Sequence, residues 1–243
     1  SQDRILEALL YYYEQTGSER VLNACVRAGE RLAKHYLHEE PRDMFSRERD
    51  SGRPRNEGHA MNIVHPMLQL YGYTGKEEFL EFAKYAVEDF DRSASPASAA
   101  AMLTHGRLDS HIVTLCENIS VPASLYVYTG EERLLKASVR AFENLQFCSG
   151  QPQGVPSGNE EVYGRGPRKL TEHCGVIEWA LSCNRLFRIT GEVRFADECE
   201  RAMLNAYPAT KSPDCVSLCY NHAPNEIYAA NWAGPYRDDW DQG

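Results

Sequence analysis

One short phrase occurs four times in this sequence and constrains its fold more than any other feature. It reads Thr16-Gly17-Ser18-Glu19, Thr74-Gly75-Lys76-Glu77, Thr129-Gly130-Glu131-Glu132 and Thr190-Gly191-Glu192-Val193, with steps of 58, 55 and 61 residues between successive threonines. An aromatic residue precedes each copy (Tyr13, Tyr73, Tyr128 and Phe187) and an apolar run follows it. A period of this size signals a repeated supersecondary unit. Glycine suits the left-handed position that ends a helix. Glu19, Glu77, Glu131 and Glu192 then fall where acidic side chains complement the positive end of the next helix. Apolar residues recur at helical spacing on both sides of the turn, as in Ile177, Leu181, Leu186 and Ile189, or Phe79, Phe82, Ala83, Ala86 and Phe90.

These signals predict four helical hairpins, with helices near 2–14 and 18–37, 57–73 and 76–91, 109–128 and 131–148, and 172–189 and 192–206. No stretch alternates with period two, so a sheet is not expected. Pro122 either kinks its helix or marks its true start. The fold class is all-α, with hairpins stacked as an open solenoid or as an α/α toroid. The Thr-Gly turns are short and uniform. The segments between repeats, near 38–56, 92–108, 149–171 and 207–243, are long and varied, which is where function is expected.

Composition narrows the choices. A net charge of −9 over 243 residues leaves no basic patch for nucleic acid. No apolar run reaches the length of a membrane span. No signal peptide is visible, and without an initiating Met the compartment is left open. Of the eight cysteines, Cys116, Cys183 and Cys199 fall on faces expected to be buried, and no paired CxxC array occurs.

The third inter-repeat segment concentrates chemistry. Gly154 to Pro167 is rich in Gly and Pro and carries Glu160 and Glu161, and Thr171-Glu172-His173-Cys174 then opens a helix. At a helix start, residues two apart can converge on one ion, and zinc accepts carboxylate oxygen together with thiolate sulfur. Glu172 and Cys174 are therefore candidate metal ligands, with Glu160 facing the same point. Read without chemistry, Thr171 caps the helix, Glu172 complements its dipole, Cys174 packs in the core and Glu160 is solvated. His59, His65, His105, His111 and His173 lie at or just before the first helices of repeats, so several can reach one rim. His111 is the preferred ligand contact, and His59, in Asn56-Glu57-Gly58-His59, opens its repeat in a similar way. His35 and His38 read as helix-end residues. Trp232, Tyr236 and Trp240, interleaved with Asp238, Asp239 and Asp241, fit either carbohydrate binding or packing of a terminal tail. No phosphate loop, dinucleotide fingerprint or GxSxG elbow is present.

The run Pro156-Ser157-Gly158-Asn159-Glu160-Glu161-Val162-Tyr163-Gly164, followed by Thr171-Glu172-His173-Cys174-Gly175-Val176-Ile177-Glu178, resembles the β-L-arabinofuranosidase family, glycoside hydrolase family 127. Asn205-Ala206-Tyr207-Pro208 and Pro224-Asn225-Glu226-Ile227 extend the likeness. The resemblance implies an (α/α)6 barrel and retaining hydrolysis of a terminal furanoside, with a carbohydrate substrate. It implies Glu160 as general acid/base ahead of Glu161, zinc held by Glu172 and Cys174, and a zinc-bound cysteine as nucleophile. The family supplies that nucleophile and a further ligand from an adjacent Cys-Cys pair, which this sequence lacks. The nucleophile is thus expected outside this chain, and the four hairpins are expected to be one incomplete α/α-barrel domain of a longer protein, without the family's β-rich region. Two other readings remain: a sugar epimerase or isomerase using His59 and His111 as acid and base, and a noncatalytic helical-repeat scaffold.

Overall fold

A computed structural model describes residues 2–39, 44–45, 58–104, 106–212 and 214–225. Four helical hairpins follow one another: α1 (Gln2–Thr16) with α2 (Glu19–Lys34), α3 (Val64–Thr74) with α4 (Glu77–Arg92), a broken pair α6 (Ile112–Asn118) and α7 (Val121–Thr129) with α8 (Glu132–Ser149), and α9 (His173–Thr190) with α10 (Val193–Arg201). The short α5 (Ala99–Met102) lies between the second and third.

The repeated phrase has one physical job. Each threonine hydroxyl donates to the carbonyl four residues back: Thr16 to Tyr12 at 2.7 Å, Thr74 to Leu70 at 2.7 Å, Thr129 to Leu125 at 3.2 Å and Thr190 to Leu186 at 2.8 Å. The same oxygen accepts the N–H two residues on, from Ser18, Lys76, Glu131 and Glu192. It ends one helix and seats the next. The glycine between adopts φ of +65° to +72° at all four turns. A Cβ there would meet nothing within 4 Å, so backbone conformation alone demands glycine. Gly130→Ala is therefore expected to cost about 1–2 kcal/mol, read as a lower urea midpoint with unchanged slope.

Tyrosines beside these turns join successive repeats. Tyr13 meets Tyr73 edge-on with centroids 5.2 Å apart, and Tyr71 meets Tyr128 at 5.3 Å. The first helices of the hairpins pack together as an inner layer, with α1 against α3, α3 against α7 and α7 against α9. The second helices stand behind them. Trp179 of α9, fully buried, stacks on Phe142 of α8 at 5.1 Å, and Phe195 of α10 closes on Phe142 at 4.7 Å. The inner layer is not wholly apolar. Arg4 of α1 pairs with Glu117 of α6 and with Glu178 of α9 (2.7 Å), and Arg185 of α9 pairs with Glu7 of α1. These ion pairs tie the first hairpin to the last.

Local structure departs from the periodicity reading in three places. The second hairpin opens with a 3-10 turn, His59–Ile63, before α3 begins. The helix expected over 109–128 is broken at Ile119 and Ser120, and Pro122 sits in the first turn of α7, where its missing N–H costs nothing. A sheet does form, contrary to expectation: β1 (Gly158–Asn159), β2 (Glu161–Val162), β3 (Thr171–Glu172) and β4 (Asn221–His222) order as β2-β1-β3-β4. Two-residue strands are too short to show alternation, which is why the sequence pattern hides them. No helix among the described residues is long and apolar enough to cross a membrane. Cys116 and Cys183 are fully buried as expected, Cys199 is half-buried against the core, and all eight cysteines are free.

Candidate active site

The first helices of the hairpins all run the same way, so their N-terminal ends gather at one rim. His59 begins the 3-10 turn, His111 caps α6 through its ring, and Glu172 is the residue just before α9. The small sheet is laid across these ends and carries Glu160. Its backbone carbonyl accepts the Ile112 N–H at 2.8 Å, and Val162 N–H donates to Ser110 at 3.2 Å, pinning the loop to α6. At Gly158 a Cβ would lie 2.4 Å from the Ile112 side chain, so only glycine permits this approach. Glu160 itself turns the chain between β1 and β2 with φ +63°, a conformation that strains a non-glycine residue. That geometry projects its carboxylate over the rim, about one third exposed.

Glu160 Oε2 lies 3.1 Å from His111 Nε2. The other ring nitrogen, Nδ1, accepts the Thr114 backbone N–H at 3.3 Å as the helix cap. An accepting Nδ1 leaves the proton of the neutral ring on Nε2, so His111 donates to Glu160. Thr114 Oγ1 also stands 3.2 Å from His59 Nε2, while His59 Nδ1 faces Glu117 Oε2 at 2.7 Å. The two imidazoles meet edge-on, centroids 5.0 Å apart.

Glu172 is almost wholly buried, at 2% exposure, and both its oxygens are engaged. Oε1 accepts the Tyr220 hydroxyl at 2.5 Å, and Oε2 accepts the Glu160 backbone N–H at 3.3 Å. Tyr220 arrives because β4 pairs with β3, and the His173 N–H reinforces this by donating to the Tyr220 carbonyl at 2.8 Å. Burial and the Glu172 charge push the Tyr220 phenol far up. Cys174, half-buried, follows Glu172 by two residues in the first turn of α9. Burial and then Glu172 push its thiol above the usual range. It is therefore protonated until a cation arrives to offset Glu172.

The structure thus brings Glu160, His111 and Glu172 together: one donor atom from each lies within 4.8 Å of the other two, a group that could hold a metal ion. Cys174 stands next to that group, beside Glu172, rather than inside it. His59 joins through Thr114. Glu161, the second choice for the acid/base, is exposed in β2. Two expected rim residues, His65 and His173, do not gather there. His65 lies buried in the first turn of α3, His173 stacks on Tyr207, and His105 lies outside the described residues. Asn56, Glu57, Glu226 and the tail with Trp232, Tyr236 and Trp240 also lie outside them. Sequence reading missed Thr114 and Glu117, although spacings of three and six residues from His111 put them along one α6 face. It also missed Tyr220, which no motif marks.

On the same strand, His222 is buried, and burial with repulsion from His173 holds its imidazole down at about 4. The unfolded chain takes up that proton near pH ~6.5. The folded value lies below the unfolded one, so stability should fall as pH drops from about 6.5 to about 4, by about 3 kcal/mol for this group. His222→Gln should flatten that limb of the stability–pH curve measured by urea unfolding.

Comparison with known proteins places this geometry. Solved structures of similar fold include the GH127 β-arabinofuranosidase BT3674 (TM-score 0.70, 17% identity, 91% of this chain and 35% of that one). Another is the GH127 β-L-arabinofuranosidase Ara127N-Se from Geobacillus stearothermophilus T6 (0.66, 18%, 91% and 38%). A third is described as a glycoside hydrolase (0.73, 17%, 95% and 41%). The chain spans roughly a third to two fifths of the length of these structures. A search of curated proteins returned no sequence match. The family model for the β-L-arabinofuranosidase GH127 catalytic domain matches residues 2–242, so the chain belongs to the GH127 catalytic-domain family, with the α/α-toroid fold of that family.

Proposed function

We propose that this chain carries the acid/base half of a glycoside hydrolase site that cleaves a terminal furanoside, β-L-arabinofuranoside-like, with retention. The supporting observation is the placement of Glu160: a carboxylate held over the rim by the His111 N–H, beside a buried and fully satisfied Glu172. Protonated, Glu160 gives its proton to the glycosidic oxygen as the bond breaks; ionised, it accepts the Nε2–H of His111 and later takes a proton from water. His111 is fixed for that role by the Thr114 N–H, and His59 is oriented by Glu117 to meet a sugar hydroxyl.

Zinc suits the donor set. Carboxylate oxygen and sulfur are its ordinary ligands, and a cation between Glu172 and Cys174 would reverse the charge effect that keeps the thiol protonated. Glu172 and Cys174 would hold it, with His111 committed to Glu160. When bound it supplies a persistent thiolate environment, and the nucleophile itself is assigned outside this chain.

The test is hydrolysis of nitrophenyl furanosides by this chain joined to the segment that supplies the nucleophile, with the product anomer followed by proton NMR. β-Product appearing first supports the reading. First-formed α-product, or inactivity on every furanoside tried, overturns it. The His59–His111 pair also suits proton transfer in a sugar epimerase or isomerase. That reading predicts solvent-deuterium uptake into a free sugar, unaffected by Cys174→Ala.

A further inference from the structure

The side of α6 packed on the start of the second hairpin carries a stripe of buried polar residues: His111, Thr114, Glu117 and Asn118. Spacings of three and four residues put them along one helix face. The first three join His59 to Glu160. Asn118 has a different target: its Nδ2–H donates to the carbonyl of Gly58, the residue before His59, at 3.2 Å. We propose that Asn118 is a positioning residue for His59, acting through the Gly58 backbone. The proposal rests on the reading in which His59 meets a sugar hydroxyl.

Gly58 leaves little freedom to the residue after it. Its φ of +88° belongs to the left-handed region that favours glycine. A Cβ there would lie 2.3 Å from the Phe90 ring and 3.0 Å from Asn118 Nδ2, so Gly58 is gripped between α4 and α6. Its carbonyl also accepts the Met61 N–H at 2.9 Å, the first bond of the 3-10 turn. Two donors from different elements therefore fix one peptide group. That group is planar, so fixing its carbonyl also fixes the nitrogen and Cα of His59.

The His59 side chain is 48% exposed, so packing alone does not set its direction. Glu117 holds its Nδ1 at 2.7 Å while Asn118 holds its main chain. Adjacent residues of one helix thus set ring and backbone together. The end of that helix is itself fastened. Pro122 has no N–H to offer the Asn118 carbonyl, so α6 stops at Asn118. The Ser182 hydroxyl of α9 donates instead to the Cys116 carbonyl at 2.6 Å. The broken helix therefore presents Asn118 from a short segment tied to α9.

The test is imidazole proton–nitrogen NMR of the full chain. His59 Nδ1 faces a carboxylate and Nε2 faces the Thr114 hydroxyl, so the neutral ring carries its proton on Nδ1. Asn118→Leu keeps a branched side chain and removes the donor. The His59 ring nitrogens should then move toward a mixture of tautomers, while those of His111 stay in place. In this chain joined to the segment that supplies the nucleophile, KM should rise about tenfold, the worth of one hydrogen bond, with kcat within about twofold. Val121→Ala is the control. Val121 is buried beside the same small cavity as Asn118, so its loss should lower the urea midpoint without moving the His59 signals. Asn118→Ala gives a second reading should the leucine variant not fold. The proposal is overturned if the His59 signals stay put in a folded Asn118 variant, if Val121→Ala moves them equally, or if KM holds. A parent without hydrolysis would count against the hydrolase reading instead, and the imidazole signals would still decide whether Asn118 sets His59.

Discussion

Glu160→Gln is expected to lower kcat on furanosides with poor leaving groups by about 10²–10⁴-fold, the usual worth of a positioned general acid. Substrates with activated leaving groups need less protonation and should lose less. The amide keeps an oxygen for the His111 N–H, so the fold should tolerate the change with little loss of stability. Glu160→Gly gives the informative contrast. The residue sits at φ +63°, where glycine is at ease and other residues cost about 1–2 kcal/mol. The glycine variant should therefore unfold at higher urea than the parent while losing the same activity. Strain relieved together with function lost is what a residue held in place for chemistry produces. Equal or lower stability in Glu160→Gly, or full activity in Glu160→Gln, would show that the conformation serves only the turn.

Much of this arrangement could be read from the chain. The Thr-Gly phrase announces the hairpins because its chemistry is local: a hydroxyl, a left-handed glycine and two neighbouring backbone groups all lie within seven residues. Glu172 at a helix start was legible for the same reason. Glu160 is legible as a carboxylate in a shaped loop facing the same point as Glu172, and only the family resemblance makes it the acid/base. That its backbone N–H bonds Glu172 and its carbonyl bonds Ile112 depends on pairing with segments 12 and 48 residues away. The sheet that arranges this pairing is built from strands of two residues, which no periodicity can show. Tyr220 was invisible because its role comes from β4 lying on β3, not from anything in its own neighbourhood. His65 illustrates the reverse error. Its position near a helix start suggested the rim, yet its direction on α3 turns it into the inner layer. Position along a helix is set by sequence, but which side a residue takes depends on the packing around it.

The inner layer carries the other large effect. Arg4 Nη2 donates to both Glu117 and Glu178, whose side chains are 6% and 12% exposed, with 2.7 Å to Glu178. Arg4→Met would leave two buried carboxylates facing one another without their cation. Removing one partner of a buried pair costs about 3–5 kcal/mol, and because Arg4 is itself about one third exposed the lower figure applies. The loss should depend on pH with a definite sign. Burial already holds the Glu178 carboxyl above its usual range despite Arg4, and losing Arg4 raises it further. A carboxyl whose folded pKa exceeds its unfolded value, near ~4.3, destabilises the fold increasingly as pH rises through the folded value. Urea unfolding should therefore show the largest deficit at pH 8 and a smaller one at pH 5. Adding Glu178→Gln should restore part of the stability at pH 8, whereas a deficit independent of pH would mean that Arg4 acts by packing its aliphatic stem. Glu117 also orients His59, so the variant should raise KM more than it lowers kcat if His59 binds sugar. The ion pairs that join the first hairpin to the last would then also hold a substrate-facing imidazole in register, linking closure of the inner layer to recognition at the rim.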